Sequence, residues 1–394
     1  MKKITLTLFI LFTVLSLCYA QPEELNVRLF SEKPIKKLNI SCLLGNYSIT
    51  ANDKKINTLE KDAIITFQIE GKKIKLTRKN ETLGTFNEVS VEGLGFKNIF
   101  KISPTEPQIL ERIYDDDLII SVEKGYLRII NKVSIENYVA GVVQSEILGS
   151  SNKLEFFKIQ AIITRTYAIN NMMKHYKEGF NLCDDVHCQV YRTRCNNPQI
   201  LMAANTTAGL VIVDKDKKMI SAAFHSNSGG ETVKSEDVWS LPTSYLKSVQ
   251  DTFSLAMKKA YWIEKMPVSK WLNYLESTYN LDINNEKIRN TACNFTQDTR
   301  KIYFLNNILL KNIRKDLNLR STFFSVSKEG DQIILKGRGF GHGVGLSQEG
   351  AIRMVDLGYT HEQIINFYYK DTQIIDYLEL KNQSDIQDDP VSEP

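Results

Sequence analysis

The sequence predicts an α+β protein in which a small β-rich N-terminal domain, residues 21–105, precedes a mixed α+β domain, residues 115–375. Three observations support this prediction. Residues 25–101 contain short stretches of alternating apolar and polar residues separated by glycines, which is typical of strands and hairpin turns. From residue 134 onward, apolar residues recur with helical spacing. The chain has 394 residues and 42% of them are hydrophobic, which suffices for two packed cores.

The first twenty residues predict a signal peptide. Lys2 and Lys3 precede an apolar stretch of about fourteen residues, and Ala20 ends the segment with a small side chain. A membrane-spanning helix needs roughly 20 apolar residues, so this stretch is too short to serve as an anchor. We therefore expect cleavage near Ala20 and an exported chain without a transmembrane segment, located in the periplasm, outside the cell or at the cell envelope.

The charge balance argues against nucleic acid as a partner. Without Lys2 and Lys3 the chain has 48 basic and 46 acidic residues, a formal charge of about +2. Binding to nucleic acid relies on a strongly positive surface, and the sequence has no basic arm that could provide one. At the other end, residues 382–394 are acidic and polar and predict a flexible tail.

Two helices are predicted at the start of the second domain. In the first, apolar residues from 135 to 143 lie on one face, with Ser134 as the N-cap, and Glu146 falls at the end of that face. A buried glutamate has a raised pKa, which suits a general acid, whereas a glutamate at a frayed helix end is merely solvated. In the second helix, residues 153–173, Arg165 interrupts an apolar row. A structural ion pair explains such an arginine as well as a functional role does.

Three cysteines close together in the sequence indicate either a metal site or disulfides. Cys183, His187 and Cys188 lie within six residues, so they can bind one ion from a single loop. Zinc prefers this set of ligands, and His175 or Cys195 is a candidate for the fourth position. Cysteines of exported proteins also form disulfides, and the residues alone leave both alternatives open.

Residues 337–345 read GRGFGHGVG, with glycine at every second position. In an extended strand the glycines would face one side, allowing another backbone to approach closely, and Arg338 and His342 would face the other. The ordinary alternative is a cramped strand in which His342 is only hydrogen-bonded. The spacing does not match a phosphate-binding or dinucleotide-binding loop, so no organic cofactor is expected.

Two further regions are predicted from their composition. The segment FHSNSGGE, residues 224–231, predicts a polar loop, and it lacks the G-x-S-x-G elbow that a serine hydrolase would need. Residues 256–317 are charged and amphipathic and predict a variable helical insertion into the second domain.

Seven segments of the chain occur in the order found in the stage II sporulation protein D family, which also includes amidase enhancers. They are ENYVAGVVQSE (136–146), KIQAIITRTYA (158–168), HCQVY (187–191), AFHSNSGG (223–230), DVW (237–239), YLKSVQD (245–251) and GRGFGHGVGLSQEGA (337–351). The chain resembles this family over residues 119–369. The resemblance implies a domain with a glycan-binding cleft that acts on peptidoglycan.

The resemblance also implies an activity and a role for several residues. Similar family members are lytic transglycosylases, which cut the β-1,4 bond between N-acetylmuramic acid and N-acetylglucosamine in strands stripped of their stem peptides and leave a 1,6-anhydro end. Glu146 matches their catalytic acid. Members with a Cys-x-x-x-His-Cys segment bind zinc, which favours Cys183, His187 and Cys188 as ligands of a structural ion.

The remaining motif residues are expected to bind the sugar. They are Arg165, Tyr167, Gln189, Tyr191, His225, Ser226, Ser228, Gly229, Arg338, His342 and Gln348. The expected partner is therefore the glycan strand itself. In the alternative that the amidase enhancers suggest, the chain only binds glycan and stimulates a separate N-acetylmuramoyl-L-alanine amidase, and Glu146 serves in recognition.

Overall fold

The computed structural model describes residues 24–79, 81–147, 149–239 and 241–380. The predicted signal peptide and the predicted tail lie outside these residues. Among the described residues, no helix combines the length and the apolar character needed to cross a membrane.

The N-terminal half of the fold consists of two β-sheets that share one hydrophobic core. The strands are β1 (Glu24–Leu29), β2 (Lys37–Leu44), β3 (Tyr47–Ala51), β4 (Lys54–Leu59), β5 (Ile64–Glu70), β6 (Lys73–Arg78), β7 (Glu81–Phe86), β8 (Glu88–Gly93), β9 (Ile99–Glu106), β10 (Arg112–Asp115), β11 (Asp117–Glu123), β12 (Tyr126–Ser134) and the short β13 (Leu182–Cys183). One sheet has the order β13-β1-β12-β11-β8-β3-β4 and the other β10-β9-β2-β5-β6-β7.

The alternating sequence pattern explains these strands. In β2, for example, Leu38, Ile40 and Cys42 are buried and the residues between them are partly exposed. The β-rich region extends to Ser134, beyond the predicted end at residue 105, because β10 pairs with β9, and β11 and β12 pair with β8 and β1.

The second half of the fold is mixed, which confirms the predicted α+β class. Its helices are α1 (Ile135–Ile147), α2 (Leu154–Asn170), α3 (Pro198–Thr206), α4 (Ser235–Trp239), α5 (Val268–Tyr279), α6 (Glu286–Cys293), α7 (Leu310–Asp316), α8 (Gln348–Asp356) and α9 (His361–Tyr368). Its further strands are β14 (Leu210–Val213), β15 (Phe224–His225), β16 (Tyr261–Pro267), β17 (Phe324–Glu329), β18 (Gln332–Arg338), β19 (Leu346–Ser347) and β20 (Gln373–Asp376). The first helix packs on the second, and both share the core of the sheets.

The insertion forms a unit with a core of its own. Trp271 and Leu275 of α5 pack with Phe324 and Leu335 of the sheet β16-β18-β17. The predicted helical insertion, residues 256–317, contains α5 to α7 but not the two strands that complete this core. The unit is therefore mixed and extends to β18, because its amphipathic helices need a sheet on which to bury their apolar faces.

The glycine-rich segment is not a regular strand after Arg338. Gly339, Gly341, Gly343 and Gly345 have φ angles of +80°, +117°, +86° and +69°, a region that other residues rarely adopt. The predicted two-sided alternation is therefore wrong beyond β18. The predicted close approach is confirmed, since a Cβ on Gly345 would lie 2.2 Å from the carbonyl oxygen of Ala223. We call residues 339–345 the glycine segment and residues 224–231 the serine loop, against which it packs.

Replacing Gly345 by Ala should destabilise the fold by about 3 kcal/mol, because the new methyl group adds a steric clash to the positive φ. The matched control is Gly358→Ala. Its φ is +88°, yet no atom lies within 4 Å of the position that the added methyl group would take, so only the backbone cost of about 1–2 kcal/mol remains. Chemical denaturation of both variants measures the difference, and equal losses would contradict the tight packing of the glycine segment.

Candidate active site

An open cleft with a volume of about 420 Å³ lies where the end of α1, residues 182–190, which we call the cysteine loop, the serine loop and the glycine segment meet. Its lining comprises Glu146, Ile163, Tyr167, Val186, His187, Cys188, Gln189, Val190, Ser221, Ala222, Ala223, Phe224, Trp239 and His342. The cleft therefore brings together four residues predicted to act on the sugar, namely Glu146, Tyr167, Gln189 and His342.

Glu146 is half-buried at the last turn of α1 and faces this cleft. The backbone N–H of Val190 donates a hydrogen bond to its Oε1 at 3.1 Å. Burial raises the pKa of the Glu146 carboxyl above its usual value, although the Val190 N–H and the Arg192 charge act in the opposite direction. The residue is therefore not a freely solvated glutamate at a frayed end, and its carboxyl keeps its proton to a higher pH than usual.

Glu146 is the only carboxylate among the described residues that line the cleft. Most glycosidases place two carboxylates across the bond that they cut, one as the acid and the other as a base or nucleophile. This cleft instead offers a single carboxyl group that can give up a proton and later take one back.

Two histidines on one side of the cleft are held in the neutral state. The N–H of Val344 donates to Nδ1 of His342 at 3.0 Å, so a neutral His342 carries its proton on Nε2. Burial lowers the pKa of His342 to about 4, although a hydrogen bond to the Phe224 backbone acts in the opposite direction, and the nearby charges of Arg314 and Arg300 add to the effect of burial. His225 lies behind it, with the ring centroids 5.5 Å apart, and burial lowers its pKa well below the usual value. His342 can therefore donate a hydrogen bond without carrying a charge.

Trp239 is a site residue that the sequence analysis did not identify. It ends α4, its ring centroid lies 5.2 Å from that of His342, and it is 43% exposed. An exposed aromatic ring beside polar groups is suited to packing against the apolar face of a sugar. The segment DVW belonged to the family resemblance, but nothing in the local pattern distinguished its tryptophan from a core residue.

Two of the predicted sugar-binding residues lie in the cleft wall with partners of their own. Gln189 is buried, and its Oε1 accepts a hydrogen bond from the hydroxyl of Tyr138 at 3.2 Å. The Tyr167 hydroxyl accepts one from Lys174 at 3.3 Å. Both side chains are thus oriented before any ligand binds.

Arg165 and Tyr191 do not reach the cleft, which corrects the expectation that they bind the sugar. Arg165 is fully buried and forms an ion pair with Glu136, in which its Nε donates to Oε1 at 2.8 Å. This is the structural alternative that the sequence left open. Tyr191 is also fully buried, and its hydroxyl donates to Asn131 at 3.2 Å. Both lack a surface on which a glycan could bind.

Ser228 and Gly229 of the serine loop are likewise buried and outside the cleft lining. The Ser228 hydroxyl donates to Asp251 at 2.7 Å. Gly229 allows close packing, because a Cβ there would lie 2.6 Å from the carbonyl carbon of Arg338. Their place in the fold corrects the expectation of direct sugar contact.

His225 is also buried and absent from the cleft lining, which corrects the same expectation for this residue. It supports the serine loop, because its Nδ1 donates a hydrogen bond to the Val344 oxygen at 3.1 Å.

Three further predicted residues are partly exposed but do not line the cleft. Ser226 accepts a hydrogen bond from Lys259 at 3.0 Å. Arg338 stacks over the ring of Phe323 at 3.8 Å and donates to the Asp298 oxygen. Gln348 begins α8. The structure therefore does not place them beside Glu146.

The cysteine loop, residues 182–190, brings four metal-ligating groups together. The ligand atoms of His175, Cys183, His187 and Cys188 all lie within 4.8 Å of one another. Zinc bonds of about 2.0–2.3 Å in a tetrahedron require ligand atoms roughly 3.5 Å apart, and the Cys188 sulfur lies 3.6 Å from Nε2 of His175. Cys183 and Cys188 are free thiols. The thiol of Cys195 instead donates a hydrogen bond to the Asn197 oxygen. Of the two candidates for the fourth ligand, only His175 is at the cluster.

The surroundings of the four groups also fit a structural metal ion. Nδ1 of His175 lies 2.6 Å from a carboxylate oxygen of Glu178, an arrangement that orients a histidine whose other nitrogen binds metal. Asp184, a fully buried residue of the loop, accepts hydrogen bonds from the Phe30 N–H and from Arg112, both at 2.7 Å. The loop is thus attached to the β-sheets at one end and holds Glu146 through Val190 at the other.

The chain is similar to proteins of known families over this part of the fold. A family model described as stage II sporulation protein matches residues 123–213, a range that contains Glu146 and the four metal-ligating groups. The stage II sporulation protein D of Bacillus subtilis is 30% identical over 272 residues, which cover 62% of this chain and 75% of that protein. An uncharacterized protein of Brachyspira hyodysenteriae is 28% identical over 267 residues, covering 65% and 70%. The amidase enhancer of Bacillus subtilis is 26% identical over 292 residues, covering 60% and 40%.

Proposed function

This chain belongs to the stage II sporulation protein D family and has a cell-wall-related role, and from this premise we propose that it is a peptidoglycan lytic transglycosylase. The substrate is a glycan strand without stem peptides, and the bond that breaks is the β-1,4 bond between N-acetylmuramic acid and N-acetylglucosamine. We also propose that the protein is exported to reach this substrate, because of the charged and apolar segments before Ala20.

In the proposed reaction, Glu146 acts first as an acid and then as a base. Its carboxyl donates a proton to the glycosidic oxygen, and the bond from that oxygen to C1 of N-acetylmuramic acid breaks. The C6 hydroxyl of the same sugar bonds to C1, and its proton returns to the Glu146 carboxylate. The product is a 1,6-anhydro end, and water is not consumed.

The other cleft residues position the sugar for this step. Neutral His342, Tyr167 and Gln189 present polar groups that can bond hydroxyl or acetamido groups, and Trp239 provides an aromatic surface. Because the two histidines resist protonation, they add no positive charge to the cleft that would favour loss of the Glu146 proton.

The four groups of the cysteine loop are proposed to bind a structural zinc ion. His175, Cys183, His187 and Cys188 would fill a tetrahedral shell and leave no position for substrate, as in closed structural sites. Zinc would supply folding energy to the loop. The loop in turn holds the Glu146 carboxyl through the Val190 N–H.

The observation that carries the proposal is the half-buried Glu146 with its raised pKa, in a cleft where no second carboxylate is found among the described lining residues. The alternative function, a glycan-binding enhancer of an N-acetylmuramoyl-L-alanine amidase, is supported by the similarity to a protein named amidase enhancer. In that case the same cleft would bind the strand without cutting it.

Product analysis separates the two functions. Purified chain is incubated with peptide-free glycan strands, and mass spectrometry is used to search for 1,6-anhydro ends. We expect such ends to accumulate with time in proportion to the amount of protein. Binding of the strands without any anhydro ends would reject the transglycosylase. In a parallel arm, an added amidase acts on intact peptidoglycan, and faster peptide release with the chain present would then favour the enhancer.

A further inference from the structure

A second cavity, with a volume of about 180 Å³, lies between the insertion unit and residues 231–238. We call it the cationic cavity. It is on the other side of α4 from the cleft, because Asp237 and Val238 line the cavity while the next residue, Trp239, lines the cleft. The helix α4 is thus a short wall shared by both.

The lining of this cavity has an excess of positive charge. It includes Lys234, Arg300, Lys301 and Lys311, against the two carboxylates of Glu231 and Asp237. Among the described residues, none of these four cations makes an ion pair within 4 Å, and Lys234 is exposed without a polar partner. In the described part of the chain, the two carboxylates of the lining therefore offset only part of the charge of its four cations.

Arg300 is the most enclosed of these cations. Its guanidinium donates only to neutral acceptors, namely the carbonyl oxygens of Ser228 and Glu231 and the hydroxyl of Thr322. Burial lowers its pKa to about 10, the nearby Glu231 carboxylate acts in the opposite direction, and the charges of Arg338 and Arg314 act in the same direction as burial. Enclosed cations of this kind are stabilised by an anion.

We propose that the cationic cavity binds the lactyl carboxylate of an N-acetylmuramic acid residue from which the stem peptide has been removed. The proposal rests on the proposed function, in which the neighbouring cleft takes a glycan strand. Removing the stem peptide converts a neutral amide into a carboxylate, so a cavity lined by lysine and arginine gains a charge-assisted contact only with the stripped strand. In a strand that still has its stem peptide, this carboxylate is part of a neutral amide, and the attached peptide is too large for the cavity.

The proposed site is distinct from the machinery that cuts the strand. Glu231 is the last residue of the serine loop, Lys234 follows it, and the Arg300 N–H donates to a carboxylate oxygen of Glu231 at 3.0 Å. Lys311 is on α7 of the insertion unit, and its Nζ donates to the Val238 oxygen at 3.1 Å. The insertion unit, which the family model does not cover, would thereby contribute to the choice of substrate.

The proposal is tested by measuring binding calorimetrically with the full chain. The chain carries Glu146→Gln so that the ligand is not cut during the measurement. One ligand is a peptide-free oligomer of N-acetylglucosamine and N-acetylmuramic acid, and the other is the same oligomer with its carboxyls reduced to alcohols. We expect the reduced oligomer to bind about tenfold more weakly, as expected for loss of a charge-assisted contact. Adding Lys234→Gln and Lys311→Gln should abolish the difference, whereas the matched control Lys270→Gln, on an exposed position of α5, should retain it.

Equal binding of the two oligomers, or a difference that survives the double replacement, would overturn the cationic cavity as the carboxylate site. In a further outcome, inorganic phosphate would displace the unreduced oligomer although the reduced and unreduced oligomers bind with equal affinity. This result would assign the cavity to phosphate and would also overturn the proposal. The proposed function is judged separately. If anhydro ends form but binding does not depend on the carboxylate, only the proposed carboxylate site is rejected. If binding depends on the carboxylate but no anhydro ends form, only the proposed transglycosylase activity is rejected.

Discussion

Replacing Glu146 by Gln is expected to lower the rate of glycan cleavage by about 10³-fold, because the amide can neither donate the proton to the glycosidic oxygen nor take one from the C6 hydroxyl. The fold should be retained, since the amide oxygen of Gln can still accept the hydrogen bond from the Val190 N–H. The measurement is the initial rate of formation of anhydro ends at constant protein concentration.

The pH dependence of the native chain provides a second measure of the same group. Glu146 must be protonated at the start of the reaction, so the rate should be highest below its pKa in the folded protein and fall as the pH rises through it. Because burial raises that pKa, the fall should occur at a higher pH than the ordinary glutamate value of about 4.3 would give.

The matched control is Glu276→Gln, which makes the same chemical change at an exposed position of α5. It should leave both the rate and the pH profile unchanged. A Glu146→Gln variant that retains most of the native rate while folded would show that another group supplies the proton, and the proposed mechanism would fail.

Replacing Cys188 by Ser should remove the proposed zinc ion and unfold the cysteine loop. Structural zinc contributes roughly 10 kcal/mol or more of apparent binding free energy in small zinc domains. We therefore expect a loss of stability of several kcal/mol here and a melting temperature that is clearly lower. Metal content by plasma mass spectrometry and thermal unfolding with and without a chelator measure both effects. Native protein should contain one zinc ion per chain.

Cys195→Ser is the control for this replacement, because Cys195 is also buried but bonds to the Asn197 oxygen away from the cluster. It should keep the zinc ion. Full zinc content in Cys188→Ser, or equal loss in both variants, would contradict the four-group site. Loss of zinc should also reduce cleavage, since the Val190 N–H that holds Glu146 belongs to the same loop.

Patterns within one element predicted several features correctly. The alternation of apolar residues predicted the strands of the β-rich half, and the helical stripe predicted α1 with Glu146 at its end. Whether that carboxyl is buried or solvated was left open by the stripe, and the structure shows it half-buried. The spacing of Cys183, His187 and Cys188 was enough to bring them together. In each case the residues are neighbours in one helix, strand or loop, so the local geometry of the chain decides which side chains share a face.

Contacts between elements could not be predicted in this way. The residue Arg165 was assigned to the sugar site, but the docking of α1 on α2 pairs it with Glu136, 29 positions earlier in the sequence. His175 rather than Cys195 completes the cluster, and Trp239 meets His342 from a distant part of the chain.

The sequence by itself thus determined the α+β class, the acidic residue at the end of the first helix and the local group of metal-ligating side chains. Only the tertiary structure decided which predicted residues line the cleft, where the glycine segment leaves the strand conformation and how the cationic cavity arises beside α4. The physical reason is that periodicity specifies the buried face of an element, whereas the partner on which that face packs depends on the arrangement of the whole chain.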